Sequence, residues 1–137
     1  MIYQKDWFMR QIAVVIEAIG QTVFRREKIE YPERAGEQTA GDLLHRKLLG
    51  LLEEGKICEA EDLLFEKLDE RDPQMLEAAV DFYRTLNLMD DEALERQDFS
   101  RREIADGLGE VLARFELREY GFALDTIQLE WENASVD

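Results

Sequence analysis

The stretch Asp42 to Pro73, D-L-L-H-R-K-L-L-G-L-L-E-E-G-K-I-C-E-A-E-D-L-L-F-E-K-L-D-E-R-D-P, constrains the fold most, because it holds two helices and the turn between them. Leu44, Leu48, Leu51 and Leu52 recur at i, i+4, i+7 and i+8, which is one face of a helix. Gly55 follows two glutamates, and glycine tolerates the left-handed backbone with which helices end. A second stripe then runs through Ile57, Ala60, Leu64 and Leu68. Asp72 is a helix cap, and Pro73 suits the first turn of the next helix. So short a turn forces the two helices to lie antiparallel and in contact.

Gly55, Ile57, Ala60, Leu64, Leu68 and Pro73 together resemble one tetratricopeptide unit, in which a turn glycine precedes a large residue, a small alanine, more apolar residues and a proline. Ala60 is the informative position, since a small side chain lets paired helices approach closely. The first helix departs from the pattern, with Leu48 at the small position and Leu44 and Leu51 at the aromatic ones. The proline also comes one place late. No second unit recurs about thirty-four residues on, where Met89 and Leu94 stand instead. A solenoid takes roughly three or more repeats to be stable, so this hairpin must be covered by other elements.

Helical periods continue on both sides. Phe8, Ile12, Val15, Ile16, Ile19 and Val23 predict a long N-terminal helix from Gln4 to Lys28, with a second line, Trp7, Val14 and Ala18, towards its opposite side. Residues 29–41 have no apolar period and contain Pro32, Gly36 and Gly41, which reads as a loop. Pro73 to Leu88 predicts a helix with Met75, Leu76, Ala79, Val80, Tyr83 and Leu86 inward, and Asp90-Asp91-Glu92 opens a short helical turn. Ser100-Arg101-Arg102-Glu103 has capping-box spacing and starts a helix carrying Ile104, Leu108, Val111, Leu112 and Phe115, in which Gly107 and Gly109 permit close packing. A last helix, Tyr120 to Asn133, presents Leu124, Ile127 and Trp131. A shift of 63 residues aligns Leu49 with Leu112, Ala60 with Ala123 and Leu64 with Ile127, which makes the last two helices a second hairpin. The expected fold is all-α: antiparallel, tetratricopeptide-like hairpins, six or seven helices around one core. It forms one domain over 1–137, made of an N-terminal helix (1–28), a loop (29–41) and helical hairpins (42–137).

Charge narrows the function classes. Residues 1–28 carry +2, and since the whole chain carries −15 the remainder carries −17. Such a field repels phosphate backbones, so no nucleic-acid partner is expected. The single cysteine, Cys58, excludes an internal disulfide and fits a reducing compartment, hence a cytoplasmic protein. No signal-peptide pattern and no apolar run of membrane-spanning length are present in the sequence.

Over its full length the chain resembles an uncharacterised family of small bacterial helical proteins, most sharply at Tyr3 to Ile12 (Y-Q-K-D-W-F-M-R-Q-I) and Leu51 to Phe65 (L-L-E-E-G-K-I-C-E-A-E-D-L-L-F). That resemblance implies a tetratricopeptide-like helical fold and brings no activity, substrate or catalytic residue.

The residues themselves offer little chemistry. His45 is the only histidine and sits at the edge of its stripe, as a surface or boundary residue. Cys58 opens the second hairpin helix, where a thiol is activated only in electropositive surroundings; Glu53, Glu54, Glu59 and Glu61 oppose that, so it reads as a partly buried, inert thiol. Glu59, Asp62 and Glu66 share one helix face and read as solvated, partly neutralised by Lys56 and Lys67. No calcium loop, P-loop, dinucleotide fingerprint or zinc spacing appears. The expectation is a protein- or peptide-binding adaptor module with no catalytic, metal or cofactor site. Trp7, Val14 and Ala18 would be its interface, and a two-fold homodimer the first candidate assembly. The alternatives are peripheral membrane association through the amphipathic N-terminal helix and an enzyme with a carboxylate-based site.

Overall fold

The structure, a computed structural model, describes residues 2–25, 31–32, 36 and 38–135. Among these, seven helices follow one another: α1 (Ile2–Thr22), α2 (Ala40–Glu53), α3 (Ile57–Lys67), α4 (Pro73–Leu88), α5 (Asp91–Arg96), α6 (Arg101–Arg114) and α7 (Arg118–Ser135). Their apolar faces meet in one core, so the all-α expectation holds.

Local chemistry sets most helix ends. The α2–α3 turn is a full Schellman motif: Gly55 adopts φ +75°, Lys56 N–H donates to Leu51 O at 2.9 Å and Gly55 N–H to Leu52 O at 3.0 Å. Asp72 caps α4 by accepting from Gln74 N–H at 3.0 Å, with Pro73 at the first helical position. The Ser100–Glu103 capping box forms in both directions, at 2.7 and 3.2 Å. Two further ends close the same way on residues other than glycine: Asp98 (φ +55°) and Glu116 (φ +59°).

The end of α1 and the start of α2 differ from expectation. α1 stops at Thr22 rather than running to Lys28. The Val23 and Phe24 amides both turn back to Ile19 O, their side chains pack on the core, and Arg25 takes φ +55°. α2 starts before Asp42, because Thr39 and Asp42 form a capping box that reads poorly from sequence with aspartate in place of glutamate. Gly41 therefore lies inside α2, not in a loop, and a Cβ there would come within 2.8 Å of Gln74 Cβ. The rest of the expected loop, and residues 26–28 of the expected first helix, fall mostly outside the described residues.

The centre of the molecule is α4. It buries Met75, Leu76, Ala78, Ala79, Val80, Asp81, Phe82, Tyr83, Leu86 and Asn87, nearly all round its girth. α2 packs on one side of it, and α6 and α1 on others; α3 pairs with α2. α1 buries Phe8, Ile12, Val15, Ile16 and Ile19 and lies chiefly on α7, α4 and α6, so the second hairpin receives it while α4 covers the first. α7 runs antiparallel to α1: Trp131 lies against Phe8 with ring centroids 5.2 Å apart, and Tyr120 meets Thr22 by a hydroxyl–hydroxyl hydrogen bond.

The second hairpin forms, but the 63-residue shift describes only its faces. That shift superposes buried Leu64 on buried Ile127, whereas the left-handed turn residues, Gly55 and Glu116, are 61 positions apart.

Candidate functional site

The most concentrated polar group lies where α2 crosses α4. His45 Nε2 is 2.6 Å from Asp81 Oδ2, and Asp81 Oδ1 accepts from Arg84 Nε and Nη2 at 3.0 and 2.8 Å. Burial alone would raise the Asp81 carboxyl, but the hydrogen bonds from His45 and Arg84 hold it below the ordinary aspartate value. An ionised Asp81 fixes the His45 proton on Nε2. The Tyr31 ring stacks on the imidazole at 4.0 Å and 18°, and its hydroxyl donates to Asp42 Oδ1 at 2.6 Å. Asp42 Oδ2 in turn accepts from Thr39 N–H at 3.1 Å. His45 is thus a boundary residue, its side chain 14% exposed, hydrogen-bonded to the Asp81–Arg84 ion pair. Sequence reasoning missed Asp81 because its partner is 36 residues away. No hydroxyl or thiol bonds His45 among the described residues. Its evident work is to join α2, α4 and the Tyr31 segment.

A second cluster joins α3, α4 and α6. Tyr83 is fully buried and donates to Glu61 Oε2 at 2.7 Å. Gly107 makes room for the pair: a Cβ there would collide with Tyr83 Oη and stand 2.6 Å from Glu61 Oε2. Desolvation raises the Glu61 carboxyl, the Tyr83 bond opposes this, and Glu103, Asp62 and Glu110 add to the rise. Burial, then Glu61 itself, pushes the Tyr83 phenol far up.

Arg101 forms a third lock. Its Nη1 donates to Asn87 O at 2.8 Å and Asn87 Oδ1 at 3.2 Å, and its Nη2 to Met89 O and Asp91 Oδ1, both at 2.9 Å. Asn87 Nδ2 continues to Met9 O at 2.9 Å. The start of α6 thereby caps the end of α4 and reaches α1.

The remaining sequence candidates are scattered. Cys58 is exposed, not partly buried, because Ile57, Ala60 and Leu64 take the core-facing stripe. Slight desolvation, then Glu103, Glu61, Asp98 and Asp62, raise its thiol, which disfavours the nucleophilic thiolate. Glu59, Asp62 and Glu66 are exposed, and Lys56 pairs with Glu54 at 3.7 Å rather than with them. Among the described residues no three His, Cys, Asp or Glu side chains are placed to hold a metal ion, and no helix is long and apolar enough to cross a membrane.

On α1, Val14 is 57% exposed, while Trp7 and Ala18 are half-buried beside it in the same line. Trp131 lies against Phe8. Other large apolar side chains stand in water: Leu88 at 64%, Phe122 at 72% and Leu129 at 60%. The sequence reading did not single these out, although Phe122 and Leu129 lie off the Leu124–Ile127 stripe and seven residues apart, which is the available signal.

Residues 2–116 match the model of a family described as "Family of unknown function (DUF6483)". The match stops before α7. No curated protein and no solved structure matches the chain.

Proposed function

The chain belongs to this family of unknown function, and since that description carries no activity we propose, from the surface of the molecule, that it is a protein- or peptide-binding adaptor module. One observation carries this reading: the core closes without Val14, Leu88, Phe122 and Leu129, each more than half exposed. Isolated apolar side chains are ordinary on a surface, but large ones beside grooves mark places where partners gain by excluding water. The network around His45 and the Tyr83–Glu61 pair fit the same reading, since both link helices. A cytoplasmic setting belongs to the proposal and accords with the single Cys58.

The peripheral-membrane alternative needs the apolar face of α1 free, and Phe8, Ile12, Val15, Ile16 and Ile19 are in the core. A carboxylate-based enzyme needs a second set of acids facing Glu59, Asp62 and Glu66 across a cleft, and these three are exposed to solvent. Selection of a random peptide library on the purified chain tests the module. Saturable binders that compete with one another are expected, and a selection that enriches none would remove the reading.

A two-fold homodimer through Trp7, Val14 and Ala18 is part of the same proposal. Val14 is the open centre of that line, a two-fold axis lets one patch serve as both halves of an interface, and α1 lies in the least acidic part of the chain. Light scattering on the parent and on Val14→Glu decides it. A dimer that Val14→Glu dissociates is expected; a monomeric parent, or a dimer the substitution leaves intact, rejects it.

A further inference from the structure

Between α6 and α7 runs a groove of about 330 Å3 lined by small apolar residues, one aromatic ring and acidic side chains. Ala105, Gly109 and Ala113, four residues apart on α6, form one wall, and Gly121 and Phe122 of α7 the other. Three features set it apart from ordinary surface. A Cβ built on Gly109 meets nothing within 4 Å, so the groove is open above that glycine. Phe122 stands beside it 72% exposed, and Leu129, two turns further along α7, is 60% exposed. Asp106, Glu110 and Asp125 line the groove against a single cation, Arg118. Glu110 pairs with Arg114 at 3.2 Å and Asp106 accepts from Gln128 at 2.9 Å, so these two acids are held in place.

We propose that this groove is the docking site for a basic amphipathic helix of a partner protein, a reading that rests on the chain being a binding module and adds where and what it binds. The partner lays an apolar stripe over Gly109 and Ala113 and against Phe122 and Leu129, with lysine or arginine on its flanks facing Asp106, Glu110 and Asp125. Small residues on one wall let the incoming backbone approach, and the large ring on the other gives it an anchor. Charge selects the occupant. A second copy of this chain would bring the same three acids against these, within a molecule of net charge −15, whereas a basic helix neutralises them. The match to the family ends at residue 116, so the α7 wall lies outside the matched span.

The test uses the full chain and two fluorescein-labelled 18-residue amphipathic peptides, one of leucine and lysine and one of leucine and glutamate, read by fluorescence anisotropy. The lysine peptide is expected to bind and the glutamate peptide not to bind. Gly109→Leu fills the groove and Phe122→Ser removes the anchor, and neither changes the charge. A Cβ at Gly109 meets open space and Phe122 is exposed, and circular dichroism checks that both variants fold. Each is expected to weaken the lysine peptide at least tenfold, while Glu53→Gln with Glu54→Gln, remote from the groove, changes it less than twofold. Equal loss in the remote variant, or no loss in the groove variants, would show charge attraction without a groove and overturn the proposal. Peptides selected from a random library that bind regardless of Gly109→Leu and Phe122→Ser would leave the module reading standing while this one fell. A dimer of the parent that Phe122→Ser dissociates would assign the groove to a second copy instead.

Discussion

Glu61 and Asp81 are carboxylates in helix contacts, and their environments push them in opposite directions. The Glu61 carboxyl is raised, chiefly by desolvation, so the folded state holds its proton at pH values where the unfolded chain has lost it. Stability from this group therefore falls as pH rises through the interval above the ordinary glutamate value. Glu61→Gln keeps an acceptor for the Tyr83 hydroxyl and loses that decline, so urea melts between pH 4.5 and 7 are expected to show a shallower pH slope than the parent; parallel slopes would contradict the assignment. The Asp81 carboxyl is lowered, so its contribution is present above the ordinary aspartate value and is lost as pH falls through the folded one. Asp81→Asn is expected to cost about 3 kcal/mol or more at neutral pH, because it strands His45 and Arg84, and the cost should shrink in acid. Glu116 makes a separate case. It holds a left-handed conformation that penalises side-chain-bearing residues by about 1–2 kcal/mol, so Glu116→Gly is expected to raise the urea midpoint. Neither the pairing of Asp81 nor the strain at Glu116 could be read from neighbouring residues: the first depends on a contact across 36 positions, and the second on a turn that elsewhere uses glycine.

The two glycines of α6 make a controlled pair at the level of the element. Each lowers helix propensity by about 1 kcal/mol relative to alanine. Gly107 faces Tyr83 and Glu61 with no room for a methyl group, while Gly109 faces open space. Gly107→Ala is expected to destabilise despite better propensity, by roughly 1–3 kcal/mol from overpacking, and Gly109→Ala to stabilise by about 1 kcal/mol. Equilibrium urea melts compare them directly, and a shared sign would mean that the Tyr83–Glu61 contact does not constrain α6. Ala60, fully buried on α3, behaves like Gly107: Ala60→Leu should cost roughly 1–3 kcal/mol. Its importance was legible in the sequence, because a small residue in an apolar stripe marks a close helix contact. The difference between Gly107 and Gly109 was not, because both occupy the same helix and only the neighbour of each decides its role.

For the molecule as a whole, the net charge of −15 acts on an all-helical fold with a single core. Self-repulsion among carboxylates is screened over about 10 Å at 0.1 M salt, so the melting temperature is expected to rise between low and moderate sodium chloride, and a flat or falling profile would show that the acids are already neutralised in pairs. The sequence alone determined the helices, the Gly55 turn, the Asp72 and Ser100 caps, and which side chains of α1, α3 and α6 turn inward. Those features follow from interactions within about four residues along the chain, where helical period and capping operate. The tertiary structure alone decided that α4 is the central helix, that His45 bonds the Asp81–Arg84 pair, and that Phe122 stands beside an open groove lined by acids. Each of these depends on which helix face meets which neighbour. Several arrangements satisfy the same apolar stripes, and only the packed helices select one among them.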